Sequence, residues 1–144
     1  MMEILKRDYR EWKEEQQELF NNLPIFYAFS NEQFNKCKEE LGIKNDNELY
    51  KVGHGGYIKK TDSHKLKEWD NNYNSQYEEL KKDMDFMYSA FLYEFGNYEY
   101  CITFDDKEVL EVLDLTFDDL NNDKSLMNTY LKAKKEYLSH IDEY

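Results

Sequence analysis

The clearest candidate for a ligand-binding loop is the run Gly53-His54-Gly55-Gly56, in which three glycines surround a histidine. Consecutive glycines can turn their backbone N–H groups toward one point, and such a concave row of donors binds anions such as phosphate. A phosphate loop normally leads into a helix N-terminus or supplies a well-placed Lys, Ser or Thr. This run leads instead into Tyr57-Ile58-Lys59-Lys60, which reads as a strand. We therefore favour a hairpin turn over the alternative, a small-ligand or nucleotide site.

Histidine and cysteine are too few and too scattered to form a recognisable catalytic or metal site. His54, His64 and His140 show neither an H-E-x-x-H motif nor a zinc-type spacing with cysteine. Cys37 and Cys101 form no C-x-x-C pair, so we interpret them as reduced, buried thiols. The G-x-S-x-G motif of a nucleophile elbow is absent as well. We expect a protein that is not an enzyme and that uses no metal and no cofactor.

A second candidate site is an acidic segment in the C-terminal part of the chain. Paired acids alone do not define a general acid and base, and a solvated helical surface is the simpler interpretation. A concentrated negative face can also dock on a channel lined with Arg and Lys and steer fast association with it. Nearby tyrosines would add rigid amphipathic contacts of the kind enriched at interfaces. The candidate partner-binding residues are Asp105, Asp106, Glu108, Glu111, Asp114, Asp118, Asp119 and Asp123, opposed only by Lys107, together with Tyr98 and Tyr100.

Composition limits the class of protein and of partner. The chain has 144 residues without a Pro-, Gly- or Ser-rich divider, so we expect a single domain over residues 1–144. Aromatic residues make up 17%, which predicts a folded chain. The net charge of -12 argues against direct nucleic-acid binding and favours a basic protein partner. Residues 1–23 contain no apolar run long enough for a signal peptide or a membrane span, so we expect a cytoplasmic protein without membrane association.

The elements that would position these residues follow from periodicity and turn signals. Apolar residues at helical spacings predict a first helix within residues 2–23, ended by Pro24. The apolar run 25–29 predicts a buried strand. A capping box at Ser30 predicts a second helix that ends at Gly42.

A hairpin and one long central helix are expected next. Residues 49–52 and 57–60 predict two strands around the glycine turn. Apolar residues stepping by three or four predict a third helix from Thr61 or Asp62 to Gly96. Asn71, Asn72 and Asn74 are poor helix formers, and they mark the place where this helix would break or kink.

The C-terminal part is predicted to add a strand and further helices. Residues 98–102 predict a strand, and Thr-Phe-Asp-Asp occurs at both 103–106 and 116–119, where each copy is expected to cap a short helix. A last helix over 124–140 should pack across the sheet, with Lys132, Lys134 and Lys135 outward. The predicted fold class is α+β, with a small, mostly antiparallel sheet of three or four strands packed with four or five helices.

Three segments carry a resemblance to a known group of proteins. They are IFYAFSNEQF at 25–34, GHGGYIKK at 53–60 and YCIT at 100–103, with much of the C-terminal helix. Together they resemble a family of small uncharacterised proteins carried by bacterial phages and plasmids. The resemblance supplies no catalytic residues, but it implies the context of a mobile element. Small acidic proteins of such elements include anti-CRISPR proteins, which occupy nucleic-acid-binding surfaces of a Cas effector.

We therefore carry three functional hypotheses forward. The leading one is a non-enzymatic inhibitor of a host defence system that binds a basic nucleic-acid-handling protein, most plausibly a Cas effector, through acidic and tyrosine-rich surface. The second is a small-ligand or nucleotide-binding protein that uses the loop 53–56. The third is a structural or regulatory phage protein that forms homo-oligomers such as a homodimer, with Trp12 and Phe20 as candidate contacts.

Overall fold

The computed structural model describes residues 8–141 and has an α+β fold, as predicted. Within that range, eight α-helices accompany one three-stranded antiparallel sheet and two 3₁₀ turns. The helices are α1 (Tyr9–Asn21), α2 (Asn31–Leu41), α3 (Ser63–Leu80), α4 (Met84–Asn97), α5 (Tyr100–Thr103), α6 (Asp106–Val112), α7 (Phe117–Asn122) and α8 (Lys124–Ile141). The strands are β1 (Ile25–Tyr27), β2 (Leu49–Val52) and β3 (Gly56–Lys59), and the 3₁₀ turns are Asp46–Glu48 and Lys60–Asp62.

The described residues cluster into two compact units. One contains residues 8–14 and 76–141, and we call it the helical unit. The other, residues 15–75, contains the sheet, and we call it the sheet unit. The prediction of a single domain over 1–144 stays a prediction.

The sheet unit is organised around the predicted hairpin. The strand order is β1-β3-β2, and Ile58 of β3, which is fully buried, pairs with Ile25 on one side. Phe34 of α2 packs against Tyr57, with ring centroids 4.7 Å apart. Strand β1 ends at Tyr27, two residues earlier than predicted, because the chain turns there toward the N-terminal cap of α2.

Helix α2 begins and ends where the sequence predicts. The Ser30 side chain accepts a hydrogen bond from the Gln33 N–H, and Gly42 takes the left-handed conformation at the C-terminal end. The Gln33 side chain in turn accepts from the Phe29 N–H, one residue before the expected donor. A hydroxyl acceptor satisfies one of the free N–H groups of the first turn, which is why the chain starts a helix here.

The helical unit buries its core between α4 and α8. Phe86, Met87, Phe91 and Phe95 of α4 are almost completely buried. Helix α8 makes its main contacts with α4, and the Tyr130 ring meets the Phe91 ring edge-on. The last helix was expected to pack across the sheet, and its main partner is instead α4, whose apolar residues form the core of this unit.

The predicted long central helix is in fact two helices. The chain leaves the helical conformation after Leu80 and restarts at Met84. The Asp83 side chain accepts hydrogen bonds from the N–H groups of Asp85 and Phe86, so it caps the new helix. The asparagines at 71–74 lie within α3, and Gly96 lies within α4 rather than closing it. The apolar residues keep a helical spacing across the break, so the sequence pattern did not reveal it. Asp83, a typical N-terminal cap, was the signal that could have done so.

The strand predicted at residues 98–102 is also wrong, because this stretch forms the single helical turn α5. Glu99 and Phe104, on either side of the turn, have φ of 50°, a conformation incompatible with a continuous strand. The turn places Tyr100 against Phe95, with ring centroids 5.0 Å apart. The segment therefore buries one residue, Tyr100, in a helical turn and does not form a strand with alternating buried and exposed residues.

Several smaller expectations are settled by local geometry. Trp12 is buried, and its indole N–H donates to Gln76, so it is not a contact for another copy of the chain. Cys37 and Cys101 are free but only partly buried. The predicted part of the first helix before Asp8 lies outside the described residues.

Candidate functional site

The acidic segment is mostly exposed in the helical unit. Of its eight carboxylates, all but Asp106 are exposed, and with Lys107 they give residues 105–123 a formal charge of -7. This is more than half of the net charge of -12, concentrated in nineteen residues. Helices α6 and α7 bury only Val109, Leu110 and Leu120, and five of their other residues are acidic.

Three of these acids cap helices. Asp105 caps α6, Asp119 forms a capping box with Thr116 at the start of α7, and the Asp123 carboxylate accepts from the Leu126 N–H at the start of α8. Both copies of Thr-Phe-Asp-Asp cap a short helix, as predicted. In the first copy the cap of α6 is Asp105 and not Thr103, and in the second Thr116 caps α7. Carboxylates at helix N-termini also complement the helix dipole. The three carboxylates remain exposed to solvent while they cap these helices.

Cations compensate little of this charge. Lys107 lies 4.0 Å from Glu111, and both side chains are well exposed, so this pair contributes little to stability. Within residues 8–141, no ion pair involves the other exposed acids of the segment: Asp105, Glu108, Asp114, Asp118, Asp119 and Asp123. The segment therefore presents a negative surface with little cationic compensation from the described part of the chain.

Exposed apolar side chains lie among these acids. Ile102 is 72% exposed and Phe104 is 65% exposed, whereas Val112 and Phe117 are 39% and 48% exposed. Sequence reasoning missed them because it treated the repeated Thr-Phe-Asp-Asp as a cap only. The repeat was the available signal, since its second residue is an exposed phenylalanine in both copies. We call the exposed side chains of residues 102–123 the candidate docking surface.

Asp106 does not belong to that surface, because it is the centre of a hydrogen-bonded network. Its carboxylate accepts from the Tyr100 hydroxyl at 2.5 Å, from the Tyr130 hydroxyl and from Lys134 Nζ at 2.5 Å. Burial alone would raise the pKa of Asp106, but these hydrogen bonds and the ammonium charge outweigh it and lower the pKa. Lys134, predicted to point outward, is instead an internal partner of this carboxylate.

The two tyrosines of the network are structural. Burial, with the hydrogen bond to the Asp106 carboxylate, raises the pKa of Tyr130 far above its usual value. Burial and the same carboxylate raise the pKa of Tyr100. A phenol with a raised pKa is a poor general base at neutral pH. Tyr100 is also 5% exposed and so is not accessible to a partner, whereas Tyr98 is partly exposed.

The glycine loop forms the predicted turn. Gly53 and Gly55 have φ of 61° and 77°, the left-handed conformations that glycine adopts at little cost. The Gly55 carbonyl accepts a hydrogen bond from the Ala28 N–H, which ties the turn to the end of β1. A cavity of about 380 Å³ lies beside it, lined by residues that include Phe29, Phe34 and His54. Backbone geometry accounts for these two glycines without a ligand.

Alanine substitutions in the turn test that account. Gly53→Ala should reduce the free energy of unfolding by about 1–2 kcal/mol, the cost of a left-handed conformation for a residue with a Cβ. Gly55→Ala should cost more, because its Cβ would lie 2.3 Å from the Phe29 ring while open space surrounds Gly53. Chemical denaturation measures both. Equal effects would show that contact with Phe29 is irrelevant, and the double variant Gly55→Ala, Phe29→Ala should recover the difference.

Two further features limit the chemistry of the described residues. Within residues 8–141, no three or more His, Cys, Asp or Glu side chains are grouped so that they could hold a metal ion. None of the helices in this part of the chain has the length and apolar character needed to cross a membrane.

Comparison with known proteins identifies the family but not its activity. Residues 8–136 match a family described as a family of unknown function, DUF7659. Because the match covers most of the chain, the protein belongs to this family. A search of curated proteins found no match. No solved structure matches either.

Proposed function

We propose that this member of the DUF7659 family is a non-enzymatic binding protein that docks on a basic, nucleic-acid-binding surface of another protein and blocks it. The candidate docking surface is the observation that carries this proposal. Its seven exposed carboxylates and Lys107 give it a formal charge of -6, and exposed apolar side chains lie in the same short segment. The exposed phenylalanines of this segment, Phe104 and Phe117, would add apolar contact to its carboxylates.

The charge fits a partner that normally holds nucleic acid. Such proteins carry clustered Lys and Arg, which bind phosphates and release their counterions. Carboxylates displayed on α6 and α7 offer the same partner a negative surface of protein. Among residues 8–141, no ion pair involves Glu108, Asp118 or Asp119 of these helices, so these carboxylates can steer association through long-range attraction.

The exposed apolar side chains would supply binding energy that salt does not screen. Exposed ion pairs are weak and are screened by salt, so a purely electrostatic complex would dissociate readily at physiological ionic strength. Aromatic residues at the centre of an interface carry much of the binding energy because they exclude water around them. Phe104 and Phe117, each beside acids, fit the role of such anchors.

The biological setting that we propose is inhibition of a host defence system by a mobile-element protein, with a Cas effector as the leading partner. The resemblance to phage- and plasmid-borne proteins supports that setting. A Cas effector holds its guide and target strands in a positively charged channel, which matches the chemistry of the candidate docking surface. A protein bound in such a channel would prevent binding of the nucleic acid.

A small-ligand function at the glycine loop is the second candidate. The cavity of about 380 Å³ beside the turn, with its aromatic lining, is the observation in its favour. The turn geometry already explains Gly53 and Gly55, so this candidate ranks below the docking surface.

A capture experiment with matched charge variants tests the proposed function. The tagged protein is used to retain partners from a lysate of a bacterial host that expresses defence systems. The test variant is Glu108→Gln, Glu111→Gln, Asp114→Asn, Asp118→Asn, and it leaves the three capping aspartates intact. The control variant removes the same number of charges from exposed glutamates of the sheet unit: Glu18, Glu32, Glu39 and Glu40, each changed to Gln.

The wild type should retain a basic nucleic-acid-binding protein that added DNA or RNA releases. The test variant should bind this partner about 10- to 100-fold more weakly, while the control should bind within about 2-fold of the wild type. Equal weakening by both variants would mean that only total charge matters. Full retention by the test variant would refute the proposed surface.

A further inference from the structure

The helical unit contains a cavity of about 620 Å³ beside the acidic segment. It lies among the end of α3, the start of α4, α7 and the start of α8. Its apolar lining comes from Met84, Met87, Leu115 and Leu126, of which the last three are almost completely buried. Asp119 and Asp123 also line it, and both belong to the candidate docking surface.

The charges around the cavity do not cancel. The lining includes Lys81 and Lys82, but each has a carboxylate partner one turn earlier in the chain. Lys81 lies 3.3 Å from Glu78, and Lys82 lies 3.4 Å from Glu79. Within residues 8–141, no ion pair involves Asp119 or Asp123. The charged lining residues are Glu78, Asp119, Asp123, Lys81 and Lys82, so the cavity has a formal charge of -1, and Asp119 and Asp123 are its carboxylates without an ion-pair partner among residues 8–141.

Hydrogen bonds of the backbone fix the positions of both carboxylates. Asp119 Oδ2 accepts from the Thr116 N–H at 2.8 Å, and Asp123 Oδ1 accepts from the Leu126 N–H at 3.1 Å. Each carboxylate has a second oxygen with further acceptor capacity. Side chains that are fixed in the free protein lose little conformational entropy on binding, which favours a specific contact.

We propose that this cavity receives an arginine side chain of the basic partner, an inference that rests on the proposed function and adds its anchor. The guanidinium group has five N–H donors on a rigid plane, so it can bind carboxylates that approach from two directions. Its methylene stem is apolar and would lie on the methionine and leucine side chains. Methionine adapts its shape to an inserted group, which suits Met84 and Met87 to this role.

The chain provides a matched control for this assignment. Asp118 is adjacent to Asp119, is exposed and belongs to the same short helix, but it does not line the cavity. Diffuse electrostatic attraction would treat the two neighbours alike. An arginine bound in the cavity would depend on Asp119 and Asp123 and would be nearly indifferent to Asp118.

The test uses the full-length protein with N-acetylarginine amide as the probe, followed by NMR of the ¹⁵N-labelled backbone. We expect saturable shifts of amide signals at residues 84–87 and 115–126. The double variant Asp119→Asn, Asp123→Asn should bind the probe about 10-fold more weakly, whereas Asp118→Asn should bind it as the wild type does. Asparagine retains an oxygen acceptor for each cap, so the double variant should keep its fold. Thermal unfolding of the variant checks this expectation.

Three outcomes would overturn the assignment. Equal binding of N-acetylnorleucine amide would show that the cavity selects only apolar groups. Equal weakening by Asp118→Asn would show diffuse attraction, and absence of saturable shifts would show that the cavity takes no arginine. Either of the last two results leaves the proposed function standing if the capture experiment retains a basic partner. Probe binding without any such partner would support the cavity and reject the function.

Discussion

Replacing Asp106 with alanine is expected to reduce the free energy of unfolding by about 2–4 kcal/mol, measured by urea denaturation at pH 7. The carboxylate accepts hydrogen bonds from two tyrosine hydroxyls and from Lys134, and its side chain is only 20% exposed. Alanine would leave these three donors in the protein without their common acceptor. Such unsatisfied groups cost more than the loss of a surface acid does.

Two comparisons make this expectation specific. Asp118→Ala, at an exposed acid outside the network, should change stability by less than about 0.5 kcal/mol. The double variant Asp106→Ala, Lys134→Met should be more stable than Asp106→Ala alone, because it removes the ammonium that lost its partner. If Asp106→Ala were as mild as Asp118→Ala, the network would contribute nothing to the fold.

The same network predicts a dependence of stability on pH. The folded-state pKa of Asp106 lies below its unfolded value, so its contribution is present above the unfolded pKa and is lost as pH falls through the folded pKa. The stability difference between the wild type and Asp106→Asn should therefore be largest near neutral pH and should shrink below about pH 4. A difference that grows on acidification would contradict the lowered pKa.

Replacing Phe95 with alanine is expected to cost about 3–5 kcal/mol, the largest effect predicted for this chain. Phe95 is fully buried, and its ring centroid lies 5.0–5.7 Å from those of Tyr100, Tyr130 and Tyr137. Alanine would leave a cavity at the junction of α4, α5 and α8. Thermal and urea unfolding would both register the loss.

Phe104 is the matched control, since it has the same side chain but is 65% exposed. Phe104→Ala should change the free energy of unfolding by less than about 1 kcal/mol, because only a small part of this side chain is buried in the folded protein. It should instead weaken binding of the captured partner. A large loss of stability in Phe104→Ala, or a small one in Phe95→Ala, would contradict the assignment of one ring to the core and the other to the docking surface.

The parts of the fold that sequence reasoning predicted correctly have local causes. The Ser30 hydroxyl and Gly42 define the two ends of α2 by groups that act within one helical turn. The hairpin follows from glycines that accept positive φ between two runs of β-forming residues. Such signals need no knowledge of the rest of the chain, so they can be read directly from the sequence.

The two errors in secondary structure have different causes. Residues 98–102 have strand-like composition, but burial of Tyr100 against Phe95 favours a helical turn. Helical periodicity continues from α3 into α4, and only the cap at Asp83 reveals the break. The first case agrees with the general rule that tertiary packing overrides weak local preference, whereas the second is a local cap that the periodicity obscured.

The sequence identified the acidic segment, but it did not show which of its acids are exposed and which are bound within the fold. Charge density identified the acidic segment, yet it could not separate Asp106, which is bound by Tyr100, Tyr130 and Lys134, from its exposed neighbours. That separation requires knowing that α8 brings Tyr130 and Lys134 to the start of α6. The exposure of Phe104 and Phe117 was likewise inaccessible, because the same apolar residues in a sequence could equally lie in the core.

The most direct test of the central claim is a competition for the captured partner. A fluorescent oligonucleotide that the partner binds is titrated with this protein, and the bound fraction is followed by fluorescence anisotropy at fixed salt. Displacement by the wild type, with about 10- to 100-fold less potency for the four-acid variant of residues 108–118, is the predicted result. A complex of all three components, in which the partner holds the protein and the oligonucleotide together, would contradict it.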